Sequence, residues 1–281
     1  MASTLLIAAA AHLAFSVEAV KTTYLVGEPV VVTVTEHGRG RVHDEGWFGL
    51  GRPSARFRVL IDRGAGFQRF QRKVLTSPLT EPTRPRDVVD GQRQELVLSY
   101  DAAIEDVVFP VPGQVCLAIE YEDASVRVRS NVVVLEIVAP EGDERSAYQA
   151  IRALPHSGIQ FFADLVDPGG RVLSDDASQQ IVAAFPTSVY VQGARLCDHV
   201  YDADATSSAA AALAADLRGG QFEPAALVTL GHVQDAAGLG TAARLIWHHV
   251  IHAFPGRVAA DEARAALLAQ AEDDDEAASP R

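Results

Sequence analysis

Three histidines hold the densest potential chemistry in this chain of 281 residues: His248, His249 and His252, in the run WHHVIH. His248 and His252 are spaced one helical turn apart, where two imidazoles can share a metal ion. A zinc-hydrolase helix would carry HExxH, its glutamate serving as general base. His249 stands in the glutamate's place, so no metal site is expected here. Asp167 with Asp175 and Asp176, and Asp202 with Asp204, are the acidic candidates. Hard cations take about six or more oxygens from a defined loop. Neither stretch has EF-hand spacing, and both read as helix caps or loop residues. The two cysteines, Cys116 and Cys197, fall in different halves of the chain and are expected as unpaired thiols. There is no nucleophile elbow, phosphate loop or dinucleotide fingerprint. No catalytic residue, no metal site and no cofactor is therefore expected.

A second kind of site is a contact loop. Residues 36–53, EHGRGRVHDEGWFGLGRP, hold five glycines around Trp47 and Phe48. No helix pattern follows, so the glycines do not cradle phosphate. Two large aromatics at a glycine-rich tip suit a partner contact. Residues 76–94 form a second polar loop, rich in proline.

The elements that must position these groups come in two blocks. From His12 to Ala139 the apolar period is two. Leu13, Phe15 and Val17 alternate with Ala14, Ser16 and Glu18, and turn residues Gly27-Glu28-Pro29 precede the β-branched run 30–36. Further strands are expected at 56–61, 95–100, 115–121 and 126–138. Short strands without intervening helices indicate an all-β sandwich. Ala139 to Asp143 is the boundary, with Asp143 as N-cap of the next helix. Helices are expected near 143–154, 158–166, 175–185, 189–201, 207–218, 224–236, 239–254 and 257–271. Residues 272–281, EDDDEAASPR, read as an acidic disordered tail. Residues 1–11 are either a signal peptide or the lead-in to a first strand: the apolar core is present, but no basic residue precedes it. The switch of period near Pro140 leads to the expectation of two separately folding domains, 12–139 and 143–271, which limited proteolysis would release.

Within 224–255 the chain resembles a tetratricopeptide repeat. The matching residues are Leu230-Gly231, Gly238, Ala243, Trp247 and Pro255, at the spacing of that repeat's consensus. An echo, IVAAFP at 181–186 against VIHAFP at 250–255, extends the likeness to an array of helical hairpins. The β half resembles bacterial immunoglobulin-like domains, on Tyr24, Gly27-Glu28-Pro29, Phe109-Pro110, Pro112-Gly113 and Ser130-Asn131. A partly similar pattern occurs in bacterial proteinase-inhibitor domains. The repeat resemblance implies that residues 224–236 line a groove, on the face carrying Ala225, Val228, His232 and Asp235. That face would suit a peptide or partner helix.

The charge balance, 24 basic against 37 acidic residues and −13 net, disfavours nucleic acid and anionic membranes as partners. No segment is long and apolar enough to span a bilayer. The resemblances imply a non-enzymatic scaffold or accessory subunit with a protein or peptide partner, periplasmic or extracellular, cytoplasmic being the alternative. The competing expectation is an inhibitor or enzyme acting through loops 36–53 and 76–94. The test between them is whether polar side chains of the two loops converge.

Overall fold

The computed structural model describes residues 13–44, 57–71, 84–123, 126–154, 176–200 and 206–278. A β-rich amino-terminal half is followed by seven described helices. Strands β1 (Leu13–Ala19), β3 (Val30–Gly38) and β8 (Arg93–Leu98) form sheet A in the order β1-β3-β8, all antiparallel. Sheet B orders β2 (Thr23–Leu25), β13 (Val133–Val138), β11 (Gly113–Glu122), β5 (Phe57–Asp62) and β6 (Phe67–Arg69), with β12 (Arg127–Arg129) also on β11. Two small pairs complete the half: β4 (Arg41–Asp44) with β7 (Arg84–Asp87), and β9 (Tyr100–Asp101) with β10 (Asp106–Val107).

The period of two does what it should. Phe15 and Val17 of β1, Val30, Val32 and Val34 of β3, and Val115, Leu117, Ile119 and Tyr121 of β11 share one buried apolar cluster, which therefore draws on both sheets. β3 reads VVVTV because it is buried on both faces. Val30, Val32 and Val34 enter that cluster, while Val31 points the other way, among Leu213, Leu217 and Phe222 of the helical half.

The last expected strand, 126–138, is two. The register Glu120↔Arg129 becomes Leu117↔Val133, so Ala118 and Ile119 face three residues, 130–132. This is a bulge. Ser130 Oγ accepts the Ile119 N–H at 2.9 Å, replacing a ladder carbonyl. Asn131 turns to sheet A, where its Oδ1 accepts the Val17 N–H (2.8 Å) and its Nδ2 donates to the Val17 carbonyl (2.9 Å). A side-chain amide thus caps the outer edge of β1 as another strand would.

The helices are α1 (Gly142–Arg152), α2 (Asp176–Ala184), α3 (Gln192–Val200), α4 (Ser207–Asp216), α5 (Glu223–Ala236), α6 (Gly240–Ala253) and α7 (Val258–Ala278). Asp143 is not the cap of α1. The cap position is Glu141, and Asp143 sits in the first turn, where a carboxylate favours the helix dipole. Pro224 opens α5. Gly238, at φ +77°, closes it: its N–H reaches the Asp235 carbonyl and the Leu239 N–H reaches that of Gln234. The expected tail from 272 is helical as far as Ala278. No glycine or proline interrupts the run before Pro280, and alanine and glutamate are good helix formers. The expected helix 158–166 and the expected signal or lead-in segment 1–11 lie outside the described residues.

The two halves meet across a buried polar seam. Gln221 accepts the Val31 N–H (3.2 Å) and donates to the Pro29 carbonyl (2.6 Å). The Tyr190 hydroxyl donates to the Val26 carbonyl (2.7 Å). Arg257 makes two bonds to the Glu95 carboxylate, at 2.5 and 2.9 Å, and a third to the Gln221 carbonyl. Glu95 also accepts the Val258 N–H at the start of α7. At Gly27, φ is +77° and a Cβ would lie 2.4 Å from the Tyr148 ring, so only glycine lets α1 approach this turn.

Candidate functional site

The groove expected on α5 is occupied. Val228 is 2% exposed and packs with Ala243, Trp247, Val250 and Ala259. It belongs to the core of a three-helix packing, because α7 folds back against both α5 and α6. His232 is at the margin of this core. Its ring meets Trp247 edge-on, and Nε2 lies 3.4 Å from Glu262 of α7. Asp235 accepts from Gln270 of α7 at 2.5 Å. Val228 is therefore closed off from any groove, while His232, half exposed, and Asp235 tie α7 to α5 at the margin of this core. The hydrogen bond to Glu262 raises the His232 pKa against the opposing effect of burial.

The other candidates fall as follows. His248 and His252 are exposed on α6, their rings 6.5 Å apart, and His249 stands edge-on to Phe254. Among the described residues no group of three metal-ligating side chains gathers. Cys116 is a free, half-buried thiol on β11; Cys197 is on α3. Trp47 and Phe48 lie outside the described residues, as do Asp167, Asp175, Asp202 and Asp204.

Two arrangements emerge that single-sequence reading missed. The first is the outer face of sheet B. With the odd-numbered residues of β11 turned inward, Cys116, Ala118, Glu120 and Glu122 turn outward. Glu120 is buried and takes three guanidinium groups: Arg127 at 3.0 Å, Arg58 at 3.5 Å and Arg129 at 3.8 Å. Arg58 also pairs with Glu122, and Arg129 stacks over the Phe67 ring. Val132 and Val134, each 47% exposed, stand beside this row. The run Arg127-Val128-Arg129 was the available signal, since alternation puts both arginines on one face.

The second joins the two polar loop regions to β1. Ser16 Oγ lies 2.8 Å from His37 Nε2, and Asp90 Oδ1 lies 4.0 Å from His37 Nδ1. A serine, an imidazole and a carboxylate in this order can generate a nucleophile. The same Asp90 oxygen accepts the Gly38 N–H at 2.9 Å, and both the histidine and the aspartate are open to solvent. An acyl-transfer site also needs N–H donors aimed at a developing oxyanion. Nearby N–H groups are committed elsewhere: Gly91 to the Glu36 carbonyl, Glu36 to the Gln92 carbonyl and Gly38 to Asp90. Nothing in the sequence pairs Ser16 with His37, because their contact depends on the β1–β3 register.

No family model matches the chain, and no curated protein does. Solved structures similar to part of it include the sporulation control protein Spo0M of Bacillus subtilis, at 10% identity and a TM-score of 0.26. That match covers 50% of this chain and 54% of Spo0M. A β-glucosidase from Listeria innocua, in complexes with glucose and with gluconolactone, matches at 12% and 13% identity, each with a TM-score of 0.20. In each, the match covers 45% of this chain and 16% of the enzyme. The chain thus spans about half of Spo0M and a small part of the glucosidase. No tetratricopeptide or immunoglobulin family model matches the chain, so both resemblances drawn from the sequence are corrected. Their residues have a local explanation. A Cβ on Gly231 would lie 2.2 Å from Trp247 Nε1, so a glycine facing a tryptophan is what this tight helix pair requires in any architecture.

Proposed function

We propose that this chain is a non-enzymatic interaction protein, an accessory or scaffold subunit, whose working surface is the outer face of sheet B. The carrying observation is an asymmetry. The helical half packs on the outer side of sheet A through Val31, with Val97 alongside, whereas sheet B presents Val132 and Val134 to solvent beside Arg127 and Arg129. Exposed aliphatics next to guanidinium groups fit a protein partner carrying carboxylates. The shared cluster beneath supports the finer reading that the two sheets form a sandwich. The test is a photo-crosslinking residue placed at Val134. A specific adduct that disappears in Arg127→Glu/Arg129→Glu supports the reading. No adduct, or one indifferent to that change, refutes it.

A hydrolytic second reading rests on the 2.8 Å contact between Ser16 and His37. It requires labelling of Ser16 by a fluorophosphonate and turnover of an activated ester that Ser16→Ala abolishes. The committed N–H groups around the cluster place it second.

A further inference from the structure

We infer that His248 and His252 of α6 form a surface chelate for a divalent transition-metal ion, copper(II) or nickel(II), with the remaining coordination positions open to water. Nothing in this depends on the outer face of sheet B. The run WHHVIH lacks the glutamate of a zinc hydrolase, which removes the general base and leaves the two imidazoles. α6 packs against its neighbours through Ala243, Trp247 and Val250, all buried. At about 100° per residue, Leu245, His248 and His252 fall on the opposite side of the helix, and all three are exposed. The two imidazoles are adjacent, their centroids 6.5 Å apart and their planes at 71°. Neither has a hydrogen-bond or ionic partner among the described residues. Metal–nitrogen bonds of about 2 Å bring two rings that share an ion somewhat closer than this. Rotation of two solvent-exposed side chains supplies that displacement.

Two further features favour an ion here. His252 lies in the last turn of α6, where the carbonyl end of the helix dipole attracts a cation. The backbone beneath is already fixed by the buried Trp247, so binding orders only two side chains. His249 is turned away around the helix and stands edge-on to Phe254 at 6.2 Å, outside the chelate. Imidazole donors suit copper, nickel and zinc. Two of them, with the other positions open, suit the tetragonal preference of copper(II) and nickel(II), and copper(II) stands highest in the general order of affinity.

Calorimetric titration of the untagged full chain with copper(II), and separately with nickel(II), tests the site in a non-coordinating buffer. A single ion is expected to bind, copper more tightly than nickel, and to raise the thermal midpoint once the free ion exceeds its dissociation constant. His248→Ala and His252→Ala should each lose the binding and the midpoint rise, whereas His249→Ala should keep both. His252→Ala/Ala253→His keeps the number of histidines at 9 but breaks the one-turn spacing, and should lose both. These positions are exposed, so far-ultraviolet circular dichroism without metal should be unchanged in every variant. Absence of binding, or its loss in His249→Ala, overturns the proposal. So does retention in either single chelate variant or in the spacing variant, which would mark an adventitious ion held by scattered histidines.

Discussion

Gly231 and His232 show how closely α5 is held. A methyl group at Gly231 would meet the indole of Trp247, which is buried on every side. Packed cores yield little to an inserted methyl, and overpacking costs roughly 1–3 kcal/mol. Gly231→Ala should therefore lower the thermal midpoint, and Trp247→Phe in the same chain should recover part of the loss; additive losses would show that the contact is not the cause. His232 makes the α5–α7 tie dependent on pH. Its folded pKa is raised above 6.5, chiefly by the hydrogen bond to Glu262. A raised histidine pKa stabilises fully below the unfolded value and loses that stability as pH rises through the folded value. The midpoint difference between wild type and His232→Gln should thus be largest below about pH 6.5 and shrink through neutrality. The effect will be small, because both partners are about half exposed. A difference that grows above neutrality would contradict the assignment.

At the scale of elements, the bulge at 130–132 decides how sheet A ends. Strand edges with free N–H and carbonyl groups recruit other strands. Asn131 meets the outward N–H and carbonyl of Val17 with one planar amide. Asn131→Leu removes both bonds and leaves two backbone groups without a partner, at about 1–3 kcal/mol each. Expected are a lower urea midpoint and faster light-scattering growth on warming. Asn131→Asp, which can still accept from the Val17 N–H but cannot donate, should fall between. Unchanged aggregation in Asn131→Leu would mean that the edge is protected by other means.

Across the whole molecule, the seam argues that the halves depend on one another. Val31 lies among Leu213, Leu217 and Phe222, while Tyr100 and Val107 of the β half share a cluster with Ile151, Tyr190 and Val191 of the helices. A fragment ending near Pro140 would place these side chains in water. One unfolding transition is therefore expected for the full chain, with fluorescence and circular dichroism coincident. Gln221→Ala, which strips the buried N–H of Val31 in β3 and the carbonyl of Pro29 just before it of their partner, should lower that transition as a whole. Two separated transitions, or a stable fragment ending near 140 after limited proteolysis, would show instead that the halves fold apart.

The residues themselves determined what local chemistry and period can dictate. Alternation sets Phe15 and Val17 apart from Ala14, Ser16 and Glu18, β-branched side chains mark the β3 strand, and Gly238 follows a helix expected over 224–236. These depend on neighbours within a few positions, where steric and hydrogen-bonding preferences act. What the tertiary structure alone decided involves residues far apart in the chain. The repeat spacing puts Val228 on an open face, since no local signal docks α7, and the fold makes it core by closing Ala259 and Ala263 over it. The Ser16–His37 contact depends on a strand register, Arg58 joins Arg129 only through the order of sheet B, and Gln221 reaches Pro29 from 192 residues away. Register, strand order and docking are settled by burial of the whole core at once, and no short stretch of sequence carries that sum.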